Sequence, residues 1–468
     1  MTNTSKPSKQ ELFASVPVPK ALLTMAVPTI ISQVINLVYN MVDAFFIGRT
    51  GNPYMMAATS ITLTLVMMNV ALANLFGIGG GSLVARLMGV SKNEEAKHVS
   101  AFNFYGAIAI ALLYSSLIAL FLTPLLRFLG ASDATIGYAR MYTLIVVVFG
   151  SLPAILSQVS AHLLRNTGFS GQASTGLSLG GILNIFLDPL FMFVIMPKGQ
   201  EVTGAAVATA LSNTIACLYL LFALRRASAG SPLSMRFADA KAIIPNNIRA
   251  LFSVGIPSAL LTGLFDLASI CVNILASAHN DLVLAAMGIV MKVERVPNAV
   301  NIGICQGMLP IVAYNYSSGD HKRMQDTIST ARNSGLAISF LCIVLFQFFA
   351  SNVTRFFLST SAGANPADAL QTIAFAALFL RIRSFASPVQ LLNYHTSFCM
   401  QAMGKGKETM LHAFVRELFL YIPFMFILDR AFGETGLAAA LPVAEACAAV
   451  FALWLLSRTI RRSRSQTA

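Results

Sequence analysis

The acids that fall inside long apolar runs of this sequence are few: Asp43, Asp188, Asp266, Glu294, Glu417 and Glu445. An ionisable group in such a run marks an ion or substrate path unless a partner neutralises it. Asp43 ends a polar stripe. Gln33, Asn36, Asn40 and Asp43 recur at three- and four-residue steps, with Tyr39 one turn before Asp43. That spacing places them on one helical face, which should line an aqueous cavity or pack on polar partners. Asp188 lies deeper, nine residues before Pro197, about 14 Å into a helix at about 1.5 Å per residue. Asn184 is one turn earlier on the same face. A carboxylate beside an amide oxygen offers hard ligands to Na⁺, or a site that can hold a proton and still hydrogen-bond. Pro189 weakens the helix next to it and could free carbonyls for an ion. The plainer reading of Asp43 is a place near the outer end of its helix, five residues before Gly48, and that of Asp188 is a structural hydrogen bond to a neighbouring helix.

A second group carries both signs. Lys292, Glu294 and Arg295 cluster near Pro297, and Arg381 and Arg383 lie in a later run, so these charges are expected to neutralise one another. Asp266 has no partner visible in sequence and ranks second as an ion or substrate site; Glu417 and Glu445 rank below it. Met287 and Met291, with Met67, Met68 and Met308, could offer soft surfaces to apolar ligands. No GxxxxGK[ST] motif, metal-ligand spacing or nucleophile–histidine–acid pattern accompanies these groups. The glycine run at Gly77, Gly79, Gly80 and Gly81 lies in an apolar helix and reads as helix packing. Coupling to an ion gradient remains as the energy source.

The elements that hold these residues follow from composition. The chain has 468 residues, of which 56% are hydrophobic and 11% charged, with a mean hydropathy of +0.71. Soluble folds carry about 25% charged residues. A soluble enzyme is excluded and an integral membrane protein is implied. The net charge of +13 has no clustered basic face on a soluble domain, so nucleic acid is not the partner. The cysteines all lie in apolar runs and read as buried thiols. The first apolar run reads as a true span and not a removable signal.

Runs near 21–48, 54–85, 100–126, 137–163, 173–196, 203–224, 250–278, 282–312, 331–358, 367–397, 409–430 and 434–457 are long enough to cross a bilayer. Lys and Arg crowd into the tails and even-numbered loops, which places both termini in the cytoplasm. The expected organisation is an N-terminal cytoplasmic tail (1–20), an N-lobe (21–224), a cytoplasmic linker (225–249), a C-lobe (250–457) and a basic cytoplasmic tail (458–468). An internal repeat supports the division. Pro28 pairs with Pro257, Pro189 with Pro423, Gly204 with Gly436, and Gly77, Gly89 and Ala101 pair at one constant spacing with Gly307, Gly319 and Ala331. Six spans per half give both halves the same direction. The expectation is an all-α membrane protein of twelve transmembrane helices, in two six-helix lobes related by a pseudo-twofold along the membrane normal.

The ordered set from Pro28 through Gln33 and Tyr39 to Asp43, then Asn184, Asp188 and Pro189, then Gly204 to Thr209, and Gln306 through Pro310 to Tyr316, resembles multidrug and toxic compound extrusion (MATE) transporters, in their MepA-like, DinF-related bacterial branch. The resemblance runs from about residue 20 to 457. It implies export of amphipathic, often cationic organic compounds by alternating access, against inward H⁺ or Na⁺, by a monomer in the bacterial inner membrane among its lipids, with no cofactor beyond the coupling ion. It implies a cation site of Asp43, Asn184, Asp188 and Thr209, with Tyr39, Gln33, Asn40 and Gln158 as neighbours, Na⁺ at Asn184 and Asp188 if sodium couples, and a hinge at Pro28. Gln158, Ser160 and Ala161 stand where related proteins often place asparagines, which leaves Na⁺ against H⁺ open. Two other readings are a lipid-linked oligosaccharide flippase, which would want a cationic cavity such as Lys292, Arg381 and Arg383 could supply, and a channel, which the two-lobe repeat disfavours.

Overall fold

The computed structural model describes residues 9–359 and 366–467. Lys6 of the expected N-terminal tail and Ala468 of the C-terminal one lie outside the described residues. Helices joined by short turns make up the described chain, with no strand among them. In order the long ones are α1 (Val18–Arg49), α2 (Pro53–Gly89), α3 (Asn93–Leu120), α4 (Ile136–Phe149 and Ser151–Asn166), α5 (Ser170–Ile195), α6 (Glu201–Ser228), α7 (Pro245–His279), α8 (Asp281–Ser318), α9 (His321–Ser359) and α10 (Pro366–Ser384 and Ala386–Ala402). A helical path then runs from 406 to 467. At about 1.5 Å per residue it would be about 90 Å long, against a hydrocarbon core of about 30 Å. It breaks at Gly433 (φ 62, ψ −144), which divides it into α11 (406–432) and α12 (434–467). With α4 and α10 each counted as one span, bent by 43° and 48°, the described residues make twelve, as the sequence predicts.

Local chemistry fixes the turns. Asn52 caps α2 by accepting from the Tyr54 N–H at 2.9 Å, and Pro53 fills the first turn, where no N–H is needed. Asn280 caps α8 in the same way through Val283, and α8 closes on Gly319 in the left-handed region (φ 82). Three stretches, Leu144–Phe149, Phe191–Ile195 and Phe414–Tyr421, are π-helical. α1 runs unbroken through Pro28. Thr29 Oγ1 and Ser170 Oγ both donate to the Met25 carbonyl, at 2.9 and 2.7 Å, one residue from the carbonyl that the missing proline N–H leaves free.

The two halves meet along α1–α8 and α2–α7, in the part of the bundle that carries both termini. Small residues let the backbones touch, which is how helices associate where lipid removes the hydrophobic drive. Gly303 and Gly307 of α8 lie against Ile30 and Ala26 of α1, so that a Cβ on Gly307 would come within 2.6 Å of the Ala26 Cα. Gly79 of α2 faces Gly255 of α7, and a Cβ on Gly255 would overlap the Leu75 carbonyl. Gln33–Gln306 (3.3 Å) and Asn74–Thr262 (3.1 Å) are the hydrogen bonds across this seam that lie farthest from the termini.

A short helix, Lys9–Ala14, closes the seam at the terminal end. Phe13 is fully buried and packs on Tyr314 with ring centroids 5.8 Å apart. Asn315 Nδ2 and Arg323 Nε donate to the Phe13 carbonyl at 3.1 and 2.7 Å, and Arg323 also reaches the carbonyls of Leu12 and Val16. A cation on the last carbonyls of a helix both caps it and meets its negative end. The segment between α6 and α7 is docked as well. Tyr105 of α3 donates to the Met235 carbonyl at 3.0 Å, and Asn247 Nδ2 donates to Glu95 Oε2 at 3.0 Å.

Gly255→Ala should force α2 and α7 apart, at a cost of about 1–3 kcal/mol for an overpacked contact. A thermal unfolding midpoint in detergent that does not fall would show that the seam yields.

Candidate functional site

In the first half, α1, α5 and α6 bring the expected group together. Asp188 is fully buried and Asn184 nearly so. Asn184 Nδ2 donates to Asp188 Oδ1 at 3.0 Å and to Thr209 Oγ1 of α6 at 3.3 Å. Asp43 of α1 lies beside Asp188, its carboxyl within hydrogen-bonding reach. Tyr39 of α1 and Tyr142 of α4 stand close to both acids. Gly181 of α5 makes the approach possible, since a Cβ there would press on Ile35 and Tyr39.

The chemistry of this group is lopsided. Asp43 Oδ1, Asp188 Oδ2 and Asn184 Oδ1 are buried and have no hydrogen-bond partner. Acceptors therefore outnumber donors. Two adjoining carboxylates in an apolar slab cannot both keep their charge unless a cation or a proton joins them. The oxygens fit either, because a carboxylate pair, an amide oxygen and a hydroxyl are hard ligands for a cation, and the carboxylates can instead hold a proton that the others hydrogen-bond. Next to them is a cavity of about 130 Å³ lined by Asn36, Tyr39, Asn69, Gln158, Asn184, Thr209 and Asn213. Space and polar walls of this kind suit water or a hydrated ion.

Several expectations need correction. Gln33 donates to Gln306 of α8 and belongs to the seam between the halves. Asn40 is exposed and donates to the Asn36 carbonyl at 2.6 Å. Gln158 lies on the cavity wall. The structure adds Asn69 of α2, Asn213 of α6 and Tyr142. Asn213 lies four residues after Thr209, one turn along α6, a spacing the sequence already shows, whereas Asn69 and Tyr142 reach the site through the packing of α2 and α4. Asn69 is 5% exposed and its Oδ1 has no partner.

In the second half, the expected neutralisation among these charges takes place across helices, between Glu294 and Arg383, and not between Glu294 and its sequence neighbours Lys292 and Arg295. Glu294 is clasped by Arg383 of α10, with Nε on Oε1 and Nη2 on Oε2, each at 2.8 Å. Lys292, Arg295 and Arg381 are exposed, and Arg295 is the charge facing the half-buried Asp266. Met287 is fully buried in the core of this half and Met291 packs against that core, so neither offers the cleft a soft surface. The low-ranked Glu417 and Glu445 lie deep among α10, α11 and α12 with Arg416.

The MatE family model matches residues 28–190 and 257–427, two blocks that each open on the early proline of a half. This chain belongs to the MatE family. The MATE fold has twelve transmembrane helices in two lobes, as found here. The multidrug export protein MepA of Staphylococcus saprophyticus is 26% identical over 439 residues, covering 93% of each chain. MepA of Staphylococcus aureus is 27% identical over 447 residues, covering 95% of this chain and 94% of its own. Among solved structures, a MATE in complex with MaL6 superposes with a TM-score of 0.91 at 20% identity, covering 98% of this chain and all of that one. A MOP superfamily transporter from Pyrococcus furiosus, described as having a binding pocket of reversed polarity, gives 0.90 at 19% identity over 98% and 99%. At these identities the structures speak for the MATE fold.

Asn69→Leu removes an unsatisfied buried acceptor and keeps the branched shape of the side chain, with the adjoining cavity to take its added bulk. It should leave the thermal midpoint unchanged or raised, because a partnerless buried polar group is itself destabilising by about 1–3 kcal/mol. A fall in the midpoint would mean that Oδ1 has a partner in the working protein.

Proposed function

We propose that this MATE transporter is a multidrug exporter that expels amphipathic, often cationic organic compounds across the bacterial inner membrane in exchange for a monovalent cation, with both termini cytoplasmic. The observation that carries the reading is the set of buried, partnerless oxygens at Asp43, Asp188 and Asn184. Such a set is stable only while occupied by a proton or a Na⁺ ion, so its occupancy and the conformation around it are linked. Both MepA relatives, named as multidrug export proteins, align over nearly the whole chain and support the substrate class.

The mechanism follows from charge. With the cleft open to the outside, a cation enters beside Asn36 and Gln158 and joins the Asp43–Asp188 pair. Neutralisation removes the cost of closing apolar helices around the carboxylates. Asn184 and Thr209 keep the Asp188 carboxyl aimed, and Tyr39 and Tyr142 cover the pair. α1 links this site to the seam, because Asp43 lies at one end of the helix and Pro28, with Ala26 and Ile30, at the other. Pro28 is the point on α1 where a helical hydrogen bond is already missing, so a change at Asp43 would bend the helix there. A flippase of lipid-linked oligosaccharides would need free cationic groups in the cavity. The cavity is walled by apolar side chains, amides, hydroxyls and a phenol, with no cationic group among them, and Arg383 is committed to Glu294.

The test is efflux from proteoliposomes driven by ΔpH and by ΔNa⁺ in separate experiments. Asp188→Asn should lower gradient-driven efflux at least about tenfold, the effect of about 1.4 kcal/mol of lost coupling. Full efflux by that variant under both gradients would sink the reading, and the gradient that drives the wild type names the ion.

A further inference from the structure

The second half holds an ionic network that the Asp43–Asp188 site does not use. Arg416 of α11 gives Nη2 to Glu445 Oε1 of α12 at 2.6 Å and Nε to both Glu445 oxygens at 3.1 and 3.0 Å. Asn393 of α10 donates to Glu445 Oε2 at 2.6 Å and to its carbonyl at 3.0 Å. His412 contacts Asn393 Oδ1 at 3.1 Å and Ser397 Oγ at 2.9 Å, an arrangement that a neutral imidazole satisfies with one donor and one acceptor. The Tyr394 ring lies 4.6 Å from the Arg416 guanidinium. Tyr421 joins this cluster to the Arg383–Glu294 pair.

The charges do not balance. Three carboxyls, Glu294, Glu417 and Glu445, share two guanidiniums, Arg383 and Arg416, and all five are buried. Arg383 is taken by Glu294 and Arg416 by Glu445. Glu417, 2% exposed, has only a 3.6 Å approach to the Arg416 Nε. From α7, which also packs on this stretch, Asp266 faces Arg295 of α8 and His279 pairs with Asp429, so neither supplies the missing charge. A surplus negative charge in a dry interior is far costlier than a neutral acid. One further observation favours an exchangeable occupant over a fixed one: Glu417 lies in the π-helical stretch Phe414–Tyr421, a backbone form frequent at functional sites.

We propose that Glu417 is a proton-binding site of the second half, separate from the Asp43–Asp188 pair. With its proton, Glu417 leaves Arg416 to Glu445 and the α11–α12 clasp holds. Without it, Glu417 becomes a second anion beside the same guanidinium and competes with Glu445, which loosens that clasp. The proton is the only ligand, and the carboxyl O–H is the only bond made or broken.

The experiment is infrared difference spectroscopy, acid minus alkaline, on the full purified chain carrying Asp43→Asn and Asp188→Asn, which silences the first-half pair. A buried protonated-carboxyl band should be present in that background and vanish when Glu417→Gln is added. Absence of the band from the background, or its survival in the Glu417→Gln chain, would overturn the proposal. So would failure of the Glu417→Gln chain to fold, because the amide reproduces the shape and neutrality of the protonated acid. None of these outcomes bears on the exporter reading, whose own test uses Asp188→Asn.

Discussion

A charge inside an apolar slab must be neutralised, and this one constraint organises both halves. The first half has no basic residue among its site partners, so Asp43 and Asp188 must take their neutralising charge from outside the protein. The second half answers with arginines of its own, in the Glu294–Arg383 and Arg416–Glu445 pairs. A related scaffold thus carries an open site on one side and a largely self-satisfied one on the other. The difference is the number of built-in cations, not the helix layout.

The seam between the halves obeys a second form of the same economy. Lipid gives no hydrophobic drive for helices to associate, so contact must come from close approach and hydrogen bonds. Gly79, Gly255, Gly303 and Gly307 bring backbones together without interlocking side chains. A surface of that kind can separate and re-form with little rotamer reordering.

The architecture was legible because a bilayer leaves few choices: long apolar runs must be helices, and the paired glycines and prolines betray the repeat. The Asn184–Asp188 pair was legible because i,i+4 residues on one helix face one another. Gln33 was misread because a stripe drifts. At about 100° per residue it lies about 80° around α1 from Asp43, far enough to meet α8 instead of α5. Arg383 was legible as one of several opposite charges at depth, but which of them Glu294 meets was not, and the Arg416–Glu445 pair was hidden altogether. Such partners come from different helices and no local spacing announces them. Asn69 and Tyr142 join the site only through the packing of their helices, while Asn213 stands one turn beyond Thr209.

The short helix at Lys9–Ala14 bears on the order in which the molecule can be assembled. Its carbonyls are held by Asn315 and Arg323, partners that follow it by 302 and 310 positions. A chain emerging from the ribosome makes this helix long before its partners, and the residues that clamp it appear only with α8 and the start of α9. Until then Phe13 has no Tyr314 to pack on. Joining of the halves at this end is therefore a late event of biogenesis, and a nascent chain stopped before α8 would hold the first lobe with its seam unsealed.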